Sequence, residues 1–456
     1  MYYALLALFY LAGLKLWLRV NKSLFDDRLS PLNLLLFSWV GPLALRTFNL
    51  SELERTWSWD FTIIICWVTL CLIVTSVSAV AMMKRRSKSV KYDLWLQTKP
   101  VFEKTLALFR NKTFLVLLGL LFVVSFCAYI YNEFITNPIG IPLLTYLNDP
   151  TISRDPFHRW GKTNRSFAGY LSLPIYPLVP MLYLVFRLSR RRLAQIGWLI
   201  CAVAYPIMTI LKLSRIDFLN ALFTIVLAEY YYRRYSFSSQ PAGPRHTPNR
   251  SHRKLVFVTA AILFLLAVSP LARIRGGGTD QAALGRLMGI RLDTTIPLYP
   301  AITEAYVYFA MPFENFSNFY QSSKSGFNPG IGFFRPVLSI IGYGWLADEM
   351  LDRIDMNFEL LPLNTYPFVT LIYFELGIPG VLICPIVYGL LVSFVYTRFR
   401  QRPNFVNVFV YLMCPFGWLW LFSAAGFTVL ALYLEIAFVV AFYTVYRLVT
   451  GAASAA

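Results

Sequence analysis

The chain has 456 residues, of which 57% are hydrophobic and only 14% are charged. Soluble domains carry roughly 25% charged residues, so this composition excludes an ordinary soluble protein and predicts a polytopic membrane protein. The net charge of +19 comes from basic loops between hydrophobic stretches, and the positive-inside rule explains it without a nucleic-acid partner. All six cysteines fall in apolar segments, which excludes a disulfide framework or a cysteine metal site in the outer loops.

The apolar segments predict the architecture. Spanning a bilayer takes about 20 predominantly apolar residues, and about eleven segments qualify. They cover residues 2–18, 31–45, 60–83, 113–133, 167–187, 193–211, 216–232, 255–272, 377–397, 405–423 and 425–446. The Lys and Arg clusters after the third, fifth, seventh and ninth segments all fall on one side when the spans alternate. That side is then the cytoplasm, which predicts an N-terminus outside and a C-terminus inside.

We therefore expect one all-α integral membrane domain over 1–456, interrupted by three polar segments. Residues 134–166 form a smaller external loop, and 237–252, rich in Pro and Ser, form a flexible cytoplasmic linker. Residues 273–376 form a large external loop. A loop of this length is usually functional or disordered, and its many aromatic and aliphatic residues favour a functional, partly helical loop.

Several basic residues stand at outer ends of the predicted spans, where the charge rule expects few. Arg is suited to a diphosphate because its planar guanidinium offers two parallel hydrogen bonds. The alternatives are an arginine that extends to lipid headgroups and, for the triple glycine at 276–278, a simple hinge. The candidates for diphosphate binding are Arg215, Lys212, Arg273, Arg275 and Arg335.

The middle of the large loop, residues 312–320, combines aromatic side chains, amides and one carboxylate. Such a set is typical of a sugar site, with Glu314 the first candidate for a general base and Glu304 the second. Asn315, Asn318 and Tyr320 are the candidate sugar contacts. An amphipathic helix that packs its aromatic stripe on the membrane surface is the alternative. No metal-ligand or nucleotide motif occurs in the sequence, so we expect neither a metal nor another cofactor.

Three features resemble the oligosaccharide repeat-unit polymerases, the Wzy-type O-antigen and exopolysaccharide polymerases. Residues 213–219, Leu-Ser-Arg-Ile-Asp-Phe-Leu, are similar to the family's Ser/Gly-Arg step at the start of a span. The large loop lies late in the chain, as in the family. Residues 364–368, Asn-Thr-Tyr-Pro-Phe, followed by Glu375-Leu-Gly377-Ile-Pro-Gly380, resemble the motif that ends the family's loop. Glu375-Leu376 stands where the family has Asp-Phe, and Pro367 where Thr is common.

The resemblance implies a GT-C-like fold and a glycosyltransferase that uses undecaprenyl-diphosphate-linked oligosaccharides as donor and acceptor. The reaction would take place at the outer face of a bacterial cytoplasmic membrane, with Asn364 among the sugar contacts and with a polysaccharide chain-length regulator as a further partner. An O-antigen ligase shares the large outer loop and is the closest alternative. A lipid-linked oligosaccharide flippase or another transporter is the second, although transporters commonly carry internal repeats, which are not evident here.

Overall fold

The computed structural model describes residues 27–86 (except 28 and 55), 94–148 (except 138), 167–237 (except 213), 283–296, 299–322, 341–346 (except 344), 366–414 and 430–451, with 15 and 338. Every regular element in this part of the chain is helical, and its only β-pairing is an isolated bridge between Ser51 and Ile290. This agrees with the all-α prediction. The predicted spans 2–18 and 255–272 lie outside the described residues, apart from Lys15.

The helices are numbered along the chain. They are α1 (Pro31–Arg46), α2 (Trp59–Arg86), α3 (Leu94–Leu108), α4 (Lys112–Ile130), α5 (Pro142–Asn148), α6 (Phe167–Ser172), α7 (Ile175–Leu188), α8 (Arg192–Leu211), α9 (Arg215–Phe237), α10 (Ala283–Leu287), α11 (Tyr299–Phe309), α12 (Met311–Gln321), α13 (Phe368–Gln401), α14 (Phe405–Met413) and α15 (Leu430–Val449). One turn of π-helix, Tyr131–Ile135, continues α4.

Six helical segments in the described residues are long and apolar enough to cross a membrane. They are Trp59–Ser78, Lys112–Ile135, Phe167–Leu188, Arg192–Leu211, Phe368–Gln401 and Leu432–Val449. Each overlaps one of the predicted spans, which makes this a membrane-embedded protein. The predicted span 31–45 is helical too, but α1 has only 16 residues and contains Pro42. The predicted span 216–232 lies within α9, whose charged residues lower its hydropathy.

The chain groups into two compact units. The first comprises Met1–Lys91, Ala282–Arg398 and Cys414–Tyr433, and it contains α1, α2, α10, α11, α12 and most of α13. The second comprises Tyr92–Gln281, Phe399–Met413 and Leu434–Ala456. It contains α3 to α9, α14 and most of α15.

In the first unit, α2 and α13 approach each other closely at Thr75 and Gly389. A Cβ added at Gly389 would lie 2.9 Å from the Cβ of Thr75, so only glycine allows this contact. Close approach through small residues is a common way for helices to associate in a membrane. α1 packs on α2, and the Trp39 indole donates a hydrogen bond to Thr69 Oγ1 at 2.9 Å.

α13 contains a backbone break at Gly377, where φ is 61° and ψ is −152°. This region of backbone space is accessible almost only to glycine. The break separates a first segment, residues 368–376, from the longer remainder of the helix, residues 378–401. The sequence predicted a span beginning at 377, and the break lies at that residue.

In the second unit, α7, α8 and α9 pack on one another, and α4 packs on α6 and α7. α3, which follows the third predicted span and is flanked by Lys and Arg residues, packs against α9. Phe102 of α3 stacks on Tyr235 of α9, with ring centroids 4.1 Å apart. The Phe399 and Tyr411 rings are nearly parallel at 4.5 Å. Such stacked aromatic pairs contribute to the packing of this unit.

Candidate active site

A buried ion pair joins the large loop to the ends of two helices in the first unit. Arg46 is the last residue of α1, and its Nε donates to Glu314 Oε1 of α12 at 2.6 Å. Trp57, just before α2, donates its indole N–H to the same oxygen at 2.9 Å. The Arg46 guanidinium lies over the Trp57 ring at 4.4 Å. The side chains of Arg46 and Glu314 are 6% and 0% exposed, so this charge pair is shielded from water.

A second carboxylate lies next to this pair. Tyr306 of α11 donates its hydroxyl hydrogen to Glu54 Oε1 and accepts a hydrogen bond from the Leu50 amide at 3.1 Å. Glu54 Oε2 accepts from the Ser51 amide at 3.3 Å. Glu54 is only partly buried, whereas Glu314 is fully enclosed.

Burial raises the pKa of Glu54 from its ordinary value to about 7, and the nearby Glu314 carboxylate adds to the rise. The Tyr306 hydrogen bond, the Arg46 charge and the Ser51 amide oppose the rise, in that order. All three favour the ionised carboxylate, while loss of water disfavours it. A carboxyl group with this pKa is present in both protonation states near neutral pH.

The segment that carries Glu54, residues 49–54, is held in place by the beginning of the large loop. The Glu52 amide donates to Gly289 O and the Arg291 amide to Leu50 O, both at 2.8 Å. The Ser51 hydroxyl donates to Met288 O at 2.5 Å. Leu50, Leu53 and Ile290 pack on a small core made by Met288, Tyr306, Val307, Ala310 and Met311. Loop and segment therefore form one packed structure.

The aromatic residues of α12 pack against helices of the same unit. The Phe313 ring lies 5.1 Å from Trp39, and the Phe316 ring lies 5.0 Å from Phe61. Every residue from Met311 to Ser317 is buried, because the helix is enclosed on most of its sides. The stripe of aromatic residues that the sequence identified therefore serves in packing within the protein.

Among the candidate sugar contacts, Asn315 is buried, while Asn318 and Tyr320 keep partial exposure. The Tyr320 ring packs against Tyr373 at 5.2 Å and Phe61 at 5.7 Å. Asn364, the fourth candidate, lies outside the described residues. Exposure therefore favours Asn318 and Tyr320 as the members of this set that a ligand can reach.

The motif that ends the large loop contacts α12. Tyr373 packs on Phe316 and Phe319 with ring centroids 6.0 and 6.2 Å apart, and Phe374 packs on Phe319 at 5.8 Å. Glu375 is buried two residues before the break at Gly377. Two regions that the sequence singled out separately, the middle of the loop and its final motif, are thus neighbours.

In the second unit, the turn between α8 and α9 carries Lys212, whose ammonium pairs with Glu133 Oε2 at 2.5 Å. Ser214 donates to Asp217 Oδ2 at 2.6 Å in the first turn of α9. Tyr129 of α4 and Tyr205 of α8 are in edge contact, with their ring centroids 5.3 Å apart. Lys212, a candidate for diphosphate binding, is thus already engaged by a carboxylate.

The remaining candidates stay predictions. Arg215 is the first residue of α9, and Glu304 lies in α11, but neither side chain belongs to the described part of the structure. Arg273, Arg275 and Arg335 lie outside the described residues. Within those residues, no group of three or more His, Cys, Asp or Glu side chains is arranged to hold a metal ion.

Sequence reasoning missed Arg46, Glu54, Trp57 and Tyr306. A signal for Arg46 was present, because it stands at a predicted outer span end and departs from the same charge rule that identified Arg215. Nothing local marked the other three, whose roles depend on contacts with distant parts of the chain.

Comparison with known proteins identifies no relative of this chain. The chain matches no known family by its family model, no curated protein and no solved structure.

Proposed function

We propose that this protein is a membrane glycosyltransferase that polymerises undecaprenyl-diphosphate-linked oligosaccharide repeats at the outer face of a bacterial cytoplasmic membrane. The growing glycan would move from its lipid carrier to the non-reducing end of a new lipid-linked repeat. Donor and acceptor are both lipid-linked oligosaccharides. The product would be an O-antigen, a capsule or a secreted polysaccharide.

The contact between α12 and the beginning of α13 is the observation that carries this proposal. The motif at 364–380 is the closest resemblance to the polymerases, and Tyr373 and Phe374 within it pack on the loop helix that bears Glu314. The same helix is joined through Glu314 to Arg46 and Trp57. Carboxylates, amides and aromatic rings suited to a sugar are thereby gathered at the ends of three helices of one unit.

Contacts within each unit agree with the predicted alternation of the spans. Arg46 and Trp57 stand at ends of α1 and α2 that the charge pattern assigns to the outside, and both contact the external loop. In the second unit, Glu133 and Lys212 stand at predicted outer ends and form an ion pair. Arg187 and Glu229 stand at predicted inner ends and also pair, at 3.0 Å. Helix ends that are predicted to lie on the same side of the membrane are therefore in contact within each unit.

The chemistry requires two kinds of group. Cations must stabilise the diphosphate as negative charge develops on the leaving group, a role we assign to Arg215, Arg273 and Arg275, with Lys212 and Arg335 supporting. A carboxylate must receive the proton of the acceptor hydroxyl. The donor carries its own activated leaving group, so the proposed reaction needs no nucleotide.

Glycan analysis of a strain lacking the gene tests the reaction class. We expect single repeats linked to the lipid carrier at the outer face of the membrane in place of a polymer ladder. Single repeats at the inner face would instead identify a flippase. Finished polymer that stays on the lipid carrier would identify a ligase. Either of those results contradicts the proposal.

The purified protein provides a second test. Incubation with lipid-linked repeats alone should give a ladder of polymer lengths on a gel, with release of undecaprenyl diphosphate. A protein that binds the repeats but joins none of them under any condition would refute polymerase activity.

A further inference from the structure

We propose that Glu54 is the group that accepts the proton from the acceptor hydroxyl, and that Glu314 is a positioning residue. This inference rests on the proposed function and deepens it. It differs from the expectation from sequence, in which Glu314 was the base.

The two carboxylates differ in what surrounds them. Glu314 is fully buried, and one of its oxygens accepts hydrogen bonds from both Arg46 and Trp57. A general base must come within about 3 Å of the proton that it removes, and an enclosed carboxylate offers a sugar hydroxyl no approach. Glu54 is partly exposed and lies beside the same arginine.

The position of Glu54 along the chain also fits the reaction. It lies in the short segment between the predicted spans 31–45 and 60–83, so the two adjoining helices hold it at the membrane surface. A sugar linked to a membrane lipid through a diphosphate lies at that level. Neighbouring contacts hold the segment rigidly, because Ser51, Glu52 and Leu50 bond to residues 288–291.

Electrostatics give independent support. The charged and titratable groups that face Glu54 are Arg46 of α1, Tyr306 of α11 and Glu314 of α12. Burial, with a smaller contribution from Glu314, raises the pKa of Glu54 to about 7 although Tyr306 and Arg46 lower it. A general base is most effective when its pKa lies near the working pH, since it is then ionised and still has a high proton affinity.

The proposed step conserves atoms and charge. The acceptor hydroxyl oxygen forms a bond to the anomeric carbon of the donor glycan while its proton passes to a carboxylate oxygen of Glu54. The bond between that carbon and the diphosphate oxygen breaks, and its electron pair leaves with undecaprenyl diphosphate. Glu54 then returns the proton to water before the next cycle.

The experiment compares three variants with the wild type in the purified ladder assay, measuring kcat and KM across pH. Glu54→Gln keeps the shape of the side chain and should lower kcat by about 10²–10⁴-fold with little change in KM. Glu52→Gln, two residues away and exposed, is the matched control and should behave as wild type. Wild-type activity should rise with pH, reach half of its plateau near pH 7 and level off above it, because the base must be ionised.

Tyr306→Phe distinguishes a chemical role from a structural one. It removes a hydrogen bond that favours the ionised form of Glu54, so the rising limb of the pH profile should move to higher pH. A purely structural role would lower activity by the same factor at every pH. If Glu54→Gln does not fold, the wild-type profile and this shift decide the question.

The outcomes separate this inference from the proposed function. Normal ladders from a folded Glu54→Gln, or a rising limb that Tyr306→Phe does not move, would overturn the role of Glu54 and leave the polymerase intact. No ladder from the wild type would overturn both, because the base would have no reaction to serve.

Discussion

At the scale of single residues, the pair formed by Arg46 and Glu314 joins α12 to the end of α1. Both charges are out of water, and each compensates the other. The indole of Trp57 contributes a hydrogen bond to the carboxylate and a ring face to the guanidinium. A substitution at either charged residue removes a buried hydrogen bond and a charge partner from the other.

Replacing one partner should therefore be far more harmful than replacing both. We expect Arg46→Ala or Glu314→Gln to destabilise the first unit by about 3–5 kcal/mol, because the remaining buried charge loses a hydrogen-bonded partner of opposite sign. Arg46→Met combined with Glu314→Met should recover most of that loss. Thermal unfolding in detergent measures the effect, with exposed Arg291→Ala as the control. Equal losses for the single and double variants would contradict this account.

Arg215 is the residue with which the proposed diphosphate site is most directly tested. Arg215→Lys should leave the protein badly impaired in polymer synthesis, because an ammonium group does not reproduce two parallel hydrogen bonds. Loss of such a contact is worth about 2–5 kcal/mol. Exposed Arg192→Lys, at the other end of α8, is the control. Full-length ladders from Arg215→Ala at normal protein level would contradict diphosphate binding and favour the alternative, an arginine that contacts lipid headgroups.

At the scale of helices, the break in α13 is the feature that positions the end of the large loop. The segment 368–376 is rotated out of line with the rest of the helix by one glycine. Its aromatic residues pack on α12, and Pro379 follows the break after one intervening residue. The backbone angles at Gly377 are the reason that this residue tolerates no side chain.

Gly377→Ala should therefore destabilise the packing of residues 368–376 on α12. A non-glycine residue in this backbone region costs of order 1–3 kcal/mol. Gly197→Ala in α8 is a suitable control, because its added Cβ would meet nothing within 4 Å and its backbone is helical. Limited proteolysis of the large loop would report the difference. Equal resistance of the two variants would show that the break is not under strain.

The helices themselves were largely predictable, because their apolar length follows from the thickness of the bilayer. The predicted start of the ninth span, residue 377, coincides with the backbone break at Gly377. Contacts such as Glu54 with Tyr306 were not predictable, since they join residues that no local pattern relates. The π-helical turn at 131–135 was also missed, as one extra residue per turn leaves hydropathy unchanged.

At the scale of the whole molecule, the side of the membrane on which each loop lies is the central prediction. It depends on the basic residues, and the contacts within the two units agree with the alternation. Asn315 is a natural reporter position for the large loop but is buried. Gln321, exposed at the end of α12, serves better.

Cysteine labelling tests this orientation. In a variant without its six native cysteines, we expect a membrane-impermeant maleimide to label Glu52→Cys and Gln321→Cys in intact cells. Arg192→Cys and Arg402→Cys should react only after the membrane is made permeable. Labelling of Gln321→Cys from the cytoplasm alone would overturn both the orientation and the proposed site.

The ion pair between Arg46 and Glu314 can form only late in the synthesis of the chain. The two residues are 268 positions apart, and at typical rates of translation Glu314 emerges on the order of tens of seconds after Arg46. During that interval the arginine, Trp39 and Phe61 await the helix that later covers them. A nascent chain that has not yet translocated its large loop therefore leaves the surfaces of Trp39 and Phe61 that α12 later covers exposed, with the positive charge of Arg46 beside them.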